Sequence, residues 1–258
     1  MNIQNQKLTK IAEDIRNVYI TGQQIAPVRE SEPDFTLEEA YTVQLMNETL
    51  RVRGGDAVVG WKIGLCDKAL QISMGAREPD RGPLYSSGLA AGDTAGLRLF
   101  QPKVEAEIAF VMGRDLGEGA DESAVLEATE YITAAYEVVD TRIKDWNNTV
   151  RDSVADGASG CGFALGDVHM KPTADTKLIS AVMRKNGETV ARGDATAVMG
   201  DPLSSVAWLA NDLAKNGRCL SRGDIVLSGA LAGAVPVSRG DVVETEFSGL
   251  GTLRLEIK

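Results

Sequence analysis

The apolar residues of the first fifty-five positions recur at the spacing of α-helices. Gly22 is a plausible end of the first helix, since glycine is common where helices stop. The apolar face of that helix carries Leu8, Ile11, Ala12, Ile15 and Tyr19. A second helix is predicted to begin at Thr36, because Thr36 and Glu39 have the spacing of a capping box, and to end before Gly54. The pattern predicts a helical N-terminal part over residues 1–56.

After residue 56 the pattern changes to short apolar runs that are typical of strands. These runs lie at residues 58–65, 104–112, 132–139, 225–227, 235–237, 242–247 and 253–257. Helical spacing returns at 123–130 and 202–216, and Gly-Asp pairs mark the turns. We therefore expect an α+β protein. Its β-rich domain covers residues 57–258, the helical part packs on it, and the two form effectively one unit without a clean boundary.

Two glutamates stand in one of the apolar strands. Side chains alternate between the two faces of a strand, so Glu105 and Glu107 share a face, with Cα atoms roughly 7 Å apart. The residues that follow, up to Met112, are apolar on both faces, which indicates a strand buried on both sides. Two buried like charges are costly without compensation, and a divalent cation is the simplest compensation.

A third carboxylate supports a metal site. Glu137 interrupts the apolar run 132–139. Three oxygen ligands without a neighbouring His or Cys favour a hard ion such as Mg²⁺ or Mn²⁺. The alternative is that Glu105 and Glu107 lie on the wet face of an edge strand and pair with Lys or Arg. Spacing alone does not decide between the two, and Glu137 favours the metal.

Charge and composition narrow the classes of partner. The formal net charge of −10 disfavours binding to nucleic acid or to an anionic membrane. Three widely spaced cysteines argue against a disulfide framework, and the chain shows neither a signal sequence nor an apolar run of about 18 residues. We therefore expect a cytoplasmic protein. The glycine-rich segments do not follow the dinucleotide-binding pattern, so no nucleotide cofactor is expected.

Short segments hold their order and spacing from about residue 35 to the end of the chain. They are Gly-Trp-Lys-Ile-Gly-Leu at 60–65, Glu-Pro-Asp-Arg-Gly at 78–82, Lys-Val-Glu-Ala-Glu at 103–107, Glu-Val-Val-Asp-Thr-Arg-Ile at 137–143, Ala-Asp-Gly-Ala-Ser at 155–159, Gly-Asp-Pro-Leu at 200–203 with Trp-Leu-Ala at 208–210, and Gly-Asp-Ile-Val-Leu-Ser-Gly-Ala at 223–230. No single segment is specific. The ordered set resembles the 2-keto-4-pentenoate hydratase and 4-oxalocrotonate decarboxylase family of the fumarylacetoacetate hydrolase superfamily.

The resemblance implies a fold and a set of site residues. The fold is a mixed, rolled β-sheet core of the fumarylacetoacetate hydrolase type with peripheral helices, assembled into a homo-oligomer. The divalent cation, Mg²⁺ or Mn²⁺, is held by Glu105, Glu107 and Glu137. The other implied site residues are Lys62, Asp80 and Ser159 as catalytic residues, and Leu65, Arg81 and Gly157 as substrate-binding residues.

The resemblance also implies an activity. It is the addition of water to a 2-hydroxy-2,4-dienoate of the 2-oxopent-4-enoate type, in the catabolism of aromatic compounds. A proton joins C5, water joins C4, and the product is a 4-hydroxy-2-oxoacid. Its partners are the small acid substrate and a decarboxylase or aldolase of the same pathway. The alternatives are a 4-oxalocrotonate-type decarboxylase and, fitting less well, an acylpyruvate hydrolase or a non-catalytic partner subunit.

Three segments depart from the family pattern. Gly157 stands where the family usually has Asn, and Arg81 stands where an aromatic residue is common. The run Ser-Gly-Ala-Leu-Ala at 228–232 replaces the usual Thr-Gly-Ala-Leu-Gly. The first and third changes are expected to loosen hydrogen bonds to the substrate. Arg81 is expected to add positive charge near the site, which favours a substrate with a further anionic or polar group.

The chemical roles of the implied site residues stay open at this point. Asp80 can exchange protons near neutral pH if burial raises its pKa. Lys62 is either pushed towards its neutral form by the cation, or stays charged and holds the substrate carboxylate. Taken without the resemblance, Lys62 reads as a structural lysine, Asp80 as a turn residue and Ser159 as part of a loop. His169, the only histidine, lies outside every matching segment, which argues against a histidine-based triad.

Overall fold

Seven α-helices occur in residues 3–258, which the computed structural model describes, with side chains from residue 6 onwards. They are α1 (Ile3–Thr21), α2 (Val28–Ser31), α3 (Leu37–Arg53), α4 (Lys68–Met74), α5 (Glu122–Ala128), α6 (Val150–Ala155) and α7 (Pro202–Ala214). The predicted helical part and the N-terminal stretch tested for a signal sequence both begin at residue 1. Their first two residues lie outside the described chain.

Eleven strands occur in the same residues. They are β1 (Val58–Gly64), β2 (Asp80–Tyr85), β3 (Lys103–Met112), β4 (Thr129–Val139), β5 (Gly160–Leu165), β6 (Ser180–Lys185), β7 (Glu188–Asp194), β8 (Ile225–Ala230), β9 (Val235–Pro236), β10 (Val242–Phe247) and β11 (Gly251–Glu256). Helices and strands both contribute large shares of the chain, so the α+β class is confirmed.

The strands form two sheets. The larger sheet has the order β2-β1-β8-β3-β4-β5, with β9 attached to β3. Its β1–β8 pair is parallel and its other pairs are antiparallel, which makes it the mixed sheet expected. The sheet curls until β2 approaches the turn at 157–159 that precedes β5: a Cβ on Gly82 would lie 2.3 Å from the carbonyl oxygen of Gly157. One end of this half-barrel gathers the polar residues of the site.

The smaller sheet has the order β11-β10-β6-β7 and covers one face of the larger one. Tyr136 of β4 links the two layers, because its buried hydroxyl lies 2.8 Å from Thr245 Oγ1 of β10 and 2.9 Å from the Leu253 carbonyl oxygen of β11. α7 packs its apolar face on β1 and β8 within the same buried core. The strand that carries two of the glutamates, β3, is therefore enclosed on both faces, as its sequence predicts.

The helical N-terminal part shares its apolar core with the rest of the chain. Leu8, Ile15 and Val43 from α1 and α3 belong to one buried cluster with Val150 and Val154 of α6. The predicted capping box is present, since Thr36 Oγ1 accepts from the Glu39 N–H and the Glu39 carboxylate accepts from the Thr36 N–H. Continuous packing fits one structural unit, and the division at residue 56 stays a prediction.

Several elements were missed by the hydrophobic pattern. β2 is polar and contains Gly and Pro, as an edge strand allows. The β6–β7 hairpin turns at Asn186-Gly187, with φ of 54° and 86°, and this dipeptide is a strong hairpin signal that the pattern analysis did not use. The helices α4 and α6 have 7 and 6 residues. They are too short for periodicity to identify them.

The single histidine and the cysteines lie in different surroundings, and Cys66 borders the half-barrel end through Gly229. His169 is exposed and stacks on Tyr131, with ring centroids 3.8 Å apart. Cys66 is half-buried against the core, and Cys219 is exposed. Within residues 3–258, none of the helices combines the length and the apolar character that a bilayer crossing requires.

Candidate active site

The two sequence-predicted glutamates of β3 meet the third on the neighbouring strand. β3 and β4 are antiparallel, and their register places Glu105 directly opposite Glu137. Glu107 lies two residues further along the same face of β3. One carboxylate oxygen from each glutamate lies within 4.8 Å of the other two. The structure therefore brings together the three ligands that the sequence proposed.

Burial leaves these carboxylates short of partners. Glu107 and Glu137 are fully buried and Glu105 is half-buried. Glu107 Oε2 accepts from the Gly229 N–H at 2.8 Å, but Glu107 Oε1 and both oxygens of Glu137 accept no hydrogen bond from the described residues. Buried polar atoms are almost always paired, so unpaired oxygens that converge on one point are exceptional. The alternative of a wet edge strand does not fit this environment.

Burial also raises the pKa of all three carboxyl groups. The pKa of Glu137 rises to about 8, because desolvation outweighs the attraction of Lys62. The pKa of Glu107 lies well above its ordinary value through burial and the neighbouring charges of Glu137 and Glu105. The donor set is entirely oxygen, which fits Mg²⁺ or Mn²⁺, and a divalent cation would neutralise the charge that burial disfavours.

Lys62 of β1 adds a buried positive charge to the cluster. Its Nζ lies 3.3 Å from Glu137 Oε1, as an ion pair without hydrogen-bond geometry. Burial lowers the pKa of Lys62, but the surrounding carboxylates, Glu137 foremost, outweigh burial and raise the pKa above its ordinary value. The sequence left open whether Lys62 is neutral or charged, and the surrounding carboxylates favour the charged form.

Asp80 enters the site from the start of β2. The register of β1 and β2 places Asp80 opposite Gly64, which lies two residues after Lys62 in β1. Asp80 is buried, and its Oδ1 has no hydrogen-bond partner among the described residues. Burial raises the pKa of this carboxyl group, while Lys62 and the Gly64 N–H oppose the rise. Asp80 is thus a buried carboxyl group close to Lys62, and its role in proton exchange stays a prediction.

Two glycines that the sequence argument gave no role make room for this arrangement. A Cβ on Gly64 would lie 2.3 Å from Asp80 Oδ1 and 3.0 Å from Lys62 Nζ, so any side chain there would displace one of them. Gly229 donates to Glu107, has φ of 115°, and would place a Cβ 2.5 Å from Cys66 Sγ. Both glycines lie inside motif segments, and that position was the signal that could have identified them.

Ser159 lies in a turn with unusual backbone geometry. Gly157, Ala158 and Ser159 have φ of 70°, 54° and 56°, and left-handed non-glycine residues are strained. The Ser159 hydroxyl lies 3.1 Å from Ser153 Oγ. The turn ends against the glutamates, because a Cβ on Gly160 would lie 3.7 Å from Glu137 Oε1. The structure therefore holds both Gly157 and Ser159 close to the site.

The turn is anchored by an ion pair that sequence reasoning did not assign. The buried Arg142 guanidinium binds the buried Asp156 carboxylate, and the Arg142 N–H donates to Asp156 Oδ2 at 2.9 Å. A second carboxylate, Asp140, accepts from the N–H groups of Phe100 and Gln101 and holds the segment that leads into β3. Both acidic residues lie within motif segments, but the sequence argument assigned them no role.

The other two predicted substrate-binding residues, Leu65 and Arg81, lie in different surroundings. Leu65 follows β1 directly, is half-buried, and has φ of 57°, with its carbonyl oxygen accepting from Gln71 Nε2 at 2.7 Å. Arg81 follows Asp80 in the strand and therefore points to the opposite face. Its Nε donates to Asp212 Oδ2 at 2.7 Å, and its guanidinium packs on Tyr41. The structure does not bring the charge of Arg81 to the carboxylate cluster.

Comparison with known proteins identifies the family. The family model for the fumarylacetoacetate hydrolase C-terminal domain matches residues 87–258. A 2-keto-4-pentenoate hydratase of Paraburkholderia xenovorans (strain LB400) is 39% identical, with 98% of this chain and 96% of the relative covered. A 2-hydroxyhexa-2,4-dienoate hydratase of Comamonas testosteroni is 38% identical, with 92% of each chain covered.

Solved structures agree with this assignment. The 4-oxalocrotonate decarboxylase from Pseudomonas putida G7, complexed with magnesium and adipate, superposes with a TM-score of 0.93 at 33% identity, covering 100% of this chain and 99% of that one. A fumarylpyruvate hydrolase from Pseudomonas aeruginosa matches at a TM-score of 0.56 and 14% identity, which shows a shared fold. The chain therefore belongs to the 2-keto-4-pentenoate hydratase and 4-oxalocrotonate decarboxylase family of the fumarylacetoacetate hydrolase superfamily.

Proposed function

We propose that the protein is a hydro-lyase that adds water to a 2-hydroxy-2,4-dienoate of the 2-oxopent-4-enoate type. The observation that carries the proposal is the convergence of unpaired, buried oxygens from Glu107 and Glu137 beside Lys62 and Asp80. The near full-length similarity to relatives named as hydratases of such acids supports it. The product is a 4-hydroxy-2-oxoacid.

A divalent cation, Mg²⁺ or Mn²⁺, would be held by Glu105, Glu107 and Glu137. When bound, it would supply Lewis-acid stabilisation of negative charge on the C2 oxygen of the substrate. The protein fixes the ligands before any ion arrives, because strand pairing sets Glu105 and Glu137 and the Gly229 N–H orients Glu107. Preorganised ligands need little rearrangement on binding.

The other side chains bind the substrate and move protons. We assign the Lys62 ammonium to the substrate carboxylate, because Lys62 is buried and its Nζ lies 3.3 Å from Glu137 Oε1. Asp80, whose pKa burial raises, delivers a proton to C5 and takes up the hydroxyl proton of the C2 enol as the ketone forms. Water then adds across C3 and C4, with its hydroxyl at C4 and its remaining hydrogen at C3. Ser159, Leu65 and Gly157 border the site, and the Ser159 hydroxyl orients the water or the substrate.

The setting of this reaction is also proposed. We place the enzyme in the cytoplasm, in the breakdown of aromatic compounds, acting as a homo-oligomer. A decarboxylase or an aldolase of the same pathway would supply its substrate or consume its product. The family resemblance supports each of these points. Light scattering on the purified protein tests the assembly, and a mass equal to several copies of the chain is expected.

A decarboxylase of 4-oxalocrotonate type is the second candidate. The observation that favours it is the superposition over the whole chain with the Pseudomonas putida decarboxylase. Such an enzyme would use the same centre and release CO₂ from a second carboxylate. The placement of Arg81 on the opposite face removes the residue that the sequence offered in its favour.

The experiment follows the ultraviolet absorbance of freshly made 2-hydroxypenta-2,4-dienoate with the purified protein, first with Mg²⁺ or Mn²⁺ and then with EDTA. The proposal expects metal-dependent loss of the dienoate that EDTA stops. A parallel assay measures CO₂ release from a dicarboxylate analogue. CO₂ release without loss of the dienoate would replace the hydratase proposal with the decarboxylase.

A further inference from the structure

A groove with a basic lining lies at the start of β3, the strand that carries Glu105 and Glu107. It has a volume of about 720 Å³ and is formed by the segments 97–103 and 236–239 with Trp146, Ile257 and Lys258. Four of its lining residues are basic and none is acidic: the cations are Arg98, Lys103, Arg239 and Lys258. The whole chain carries a net charge of −10. We call this feature the basic groove, and its charge is opposite to that of the protein as a whole.

The basic groove is connected to the glutamates through one face of β3. Lys103, Glu105 and Glu107 occupy alternate positions of this strand, so their side chains share a face. Glu107 is fully buried, whereas Glu105 and Lys103 are both half-buried, and Lys103 lines the groove. A molecule that approaches the carboxylates along this face meets Lys103 first.

Lys103 is held at this point by an aromatic side chain. Its Nζ lies 3.9 Å from the centroid of the Trp146 ring, a cation–π contact. Trp146 Nε1 donates to the Gln101 carbonyl oxygen at 3.0 Å. Asp145 and Trp146 have φ of 59° and 53°, a left-handed geometry that is costly for side chains of this size. The strained loop presents the indole to Lys103, whose ammonium forms no ion pair with the described residues.

We propose that the basic groove is the entrance through which the anionic substrate reaches the glutamate centre, and that Lys103 is a substrate-binding residue on that path. The inference rests on the proposed function, which requires a carboxylate substrate to enter an acidic protein. Cations that line a cleft raise the local concentration of anions and the rate of their association. Arg98 and Arg239 extend this attraction outwards from Lys103, whereas the Lys258 ammonium is paired with Asp93 Oδ2 at 2.9 Å.

The kinetic test compares Lys103→Met with Lys103→Arg, which keeps the charge. With 2-hydroxypenta-2,4-dienoate and Mg²⁺, Lys103→Met should lower kcat/KM about 10-fold at low ionic strength and leave kcat unchanged. The loss should shrink at about 1 M salt, where charges are screened beyond roughly 3 Å. Lys103→Arg should keep most of kcat/KM. Arg239→Gln, at an exposed position, should show a smaller loss in the same direction.

A matched control separates the groove from general charge effects. Lys171 is exposed, lies outside the lining of the groove, and loses the same charge in Lys171→Met. This variant should keep kcat/KM at both salt concentrations. An equal loss in Lys171→Met, or a loss in Lys103→Met that salt does not change, would overturn the proposal. A purely structural role for Lys103 would produce a loss of kcat/KM that salt does not change.

A binding measurement does not depend on turnover. Titration calorimetry with hexanedioate and Mg²⁺ should show about 10-fold weaker binding to Lys103→Met than to the wild type or Lys171→Met at low salt. If that difference appears while the dienoate is not hydrated, the proposed function fails and the groove stands. If hydration is rapid while hexanedioate binds equally to all three proteins, the groove fails and the proposed function stands.

Discussion

Glu105 and Glu137 face each other across adjacent antiparallel strands, on the same face of an enclosed sheet. Directly opposed like charges destabilise a sheet, and here a third carboxylate, Glu107, lies on the same face. A protein that only needed to fold would lose this arrangement. The cluster has a reason to exist if a divalent cation binds it, and the predictions below follow from that relationship and from the residues around it.

The first prediction concerns the metal ligands. Glu107→Gln should lower metal-dependent turnover by more than about 100-fold. Loss of a side chain that only supports a metal ligand costs up to about 100-fold, and loss of a ligand itself should cost more. In EDTA the same variant should be more stable than the wild type by about 1–3 kcal/mol, because a neutral amide replaces a carboxyl group that is buried beside two others. Added Mg²⁺ or Mn²⁺ should raise the Tm of the wild type and leave that of Glu107→Gln unchanged.

The control for this prediction is Glu244→Gln, at an exposed position of β10. It should keep turnover and respond to metal like the wild type. A Glu107→Gln protein that is less stable than the wild type in EDTA, or that keeps its activity, would show that Glu107 is a structural residue.

The second prediction concerns the space beside Asp80. Gly64→Ala places a methyl group 2.3 Å from Asp80 Oδ1. A displacement of about 1 Å costs around 100-fold in rate, so kcat should fall by that order while the protein remains folded. Gly96→Ala is the matched control, because a Cβ there meets nothing within 4 Å and the φ is not left-handed. Equal kcat in the two variants would remove Asp80 and Lys62 from the chemistry.

The third prediction concerns proton transfer by Asp80. Asp80→Asn keeps the shape of the side chain and removes its ability to exchange a proton. We expect kcat to fall between about 100-fold and 10,000-fold, as for other general acids and bases. Metal affinity, measured by calorimetry, should change little, because Asp80 is not a ligand. Loss of metal binding in this variant would assign Asp80 to the metal site instead.

The fourth prediction tests how the helical part is attached. Asp56 accepts hydrogen bonds from Arg51 Nε of α3 and from Ser86 Oγ and the Ser87 N–H after β2. Burial acts to raise the pKa of Asp56, but these hydrogen bonds, those of Ser87 first, outweigh it and lower the pKa. Asp56→Asn should therefore reduce the free energy of unfolding by about 1–3 kcal/mol at pH 7.

The sign of its pH dependence follows from the lowered pKa. The contribution of Asp56 is present above the unfolded pKa of about 3.9 and is lost as the pH falls through the folded value. The difference in unfolding free energy between wild type and Asp56→Asn should thus shrink below about pH 4. Asp34→Asn, at an exposed position, should show no such difference. A gap that stays constant down to pH 2 would contradict the role given to Asp56.

The clustering of the three glutamates could be predicted from the sequence because charge in an apolar strand is costly. Glu105 and Glu107 alternate within a run that is otherwise apolar, and Glu137 interrupts a second such run. What the pattern could not supply is the strand register, which pairs Glu105 with Glu137. Register depends on contacts between strands that are far apart in the chain, so it appears only when the sheet is assembled.

The directions in which the side chains of Arg81 and Lys103 point were harder to predict from the sequence. Arg81 alternates with Asp80, so strand geometry alone would have placed it on the other face once β2 was recognised. β2 was not recognised, because its residues are polar and include Pro83. Lys103 was visible in a motif segment, but its role depends on Trp146, more than forty residues away, and on a left-handed loop that no local pattern indicates.

The most direct test of the central claim is NMR analysis of the product. The protein is freed of metal with EDTA, supplied with Mg²⁺ or Mn²⁺, and mixed with 2-hydroxypenta-2,4-dienoate in D₂O. The account predicts a 4-hydroxy-2-oxoacid with deuterium at C3 and C5, formed only when metal is present. Formation of the same product in EDTA would contradict the glutamate metal centre, and an unchanged dienoate with metal present would contradict the hydratase.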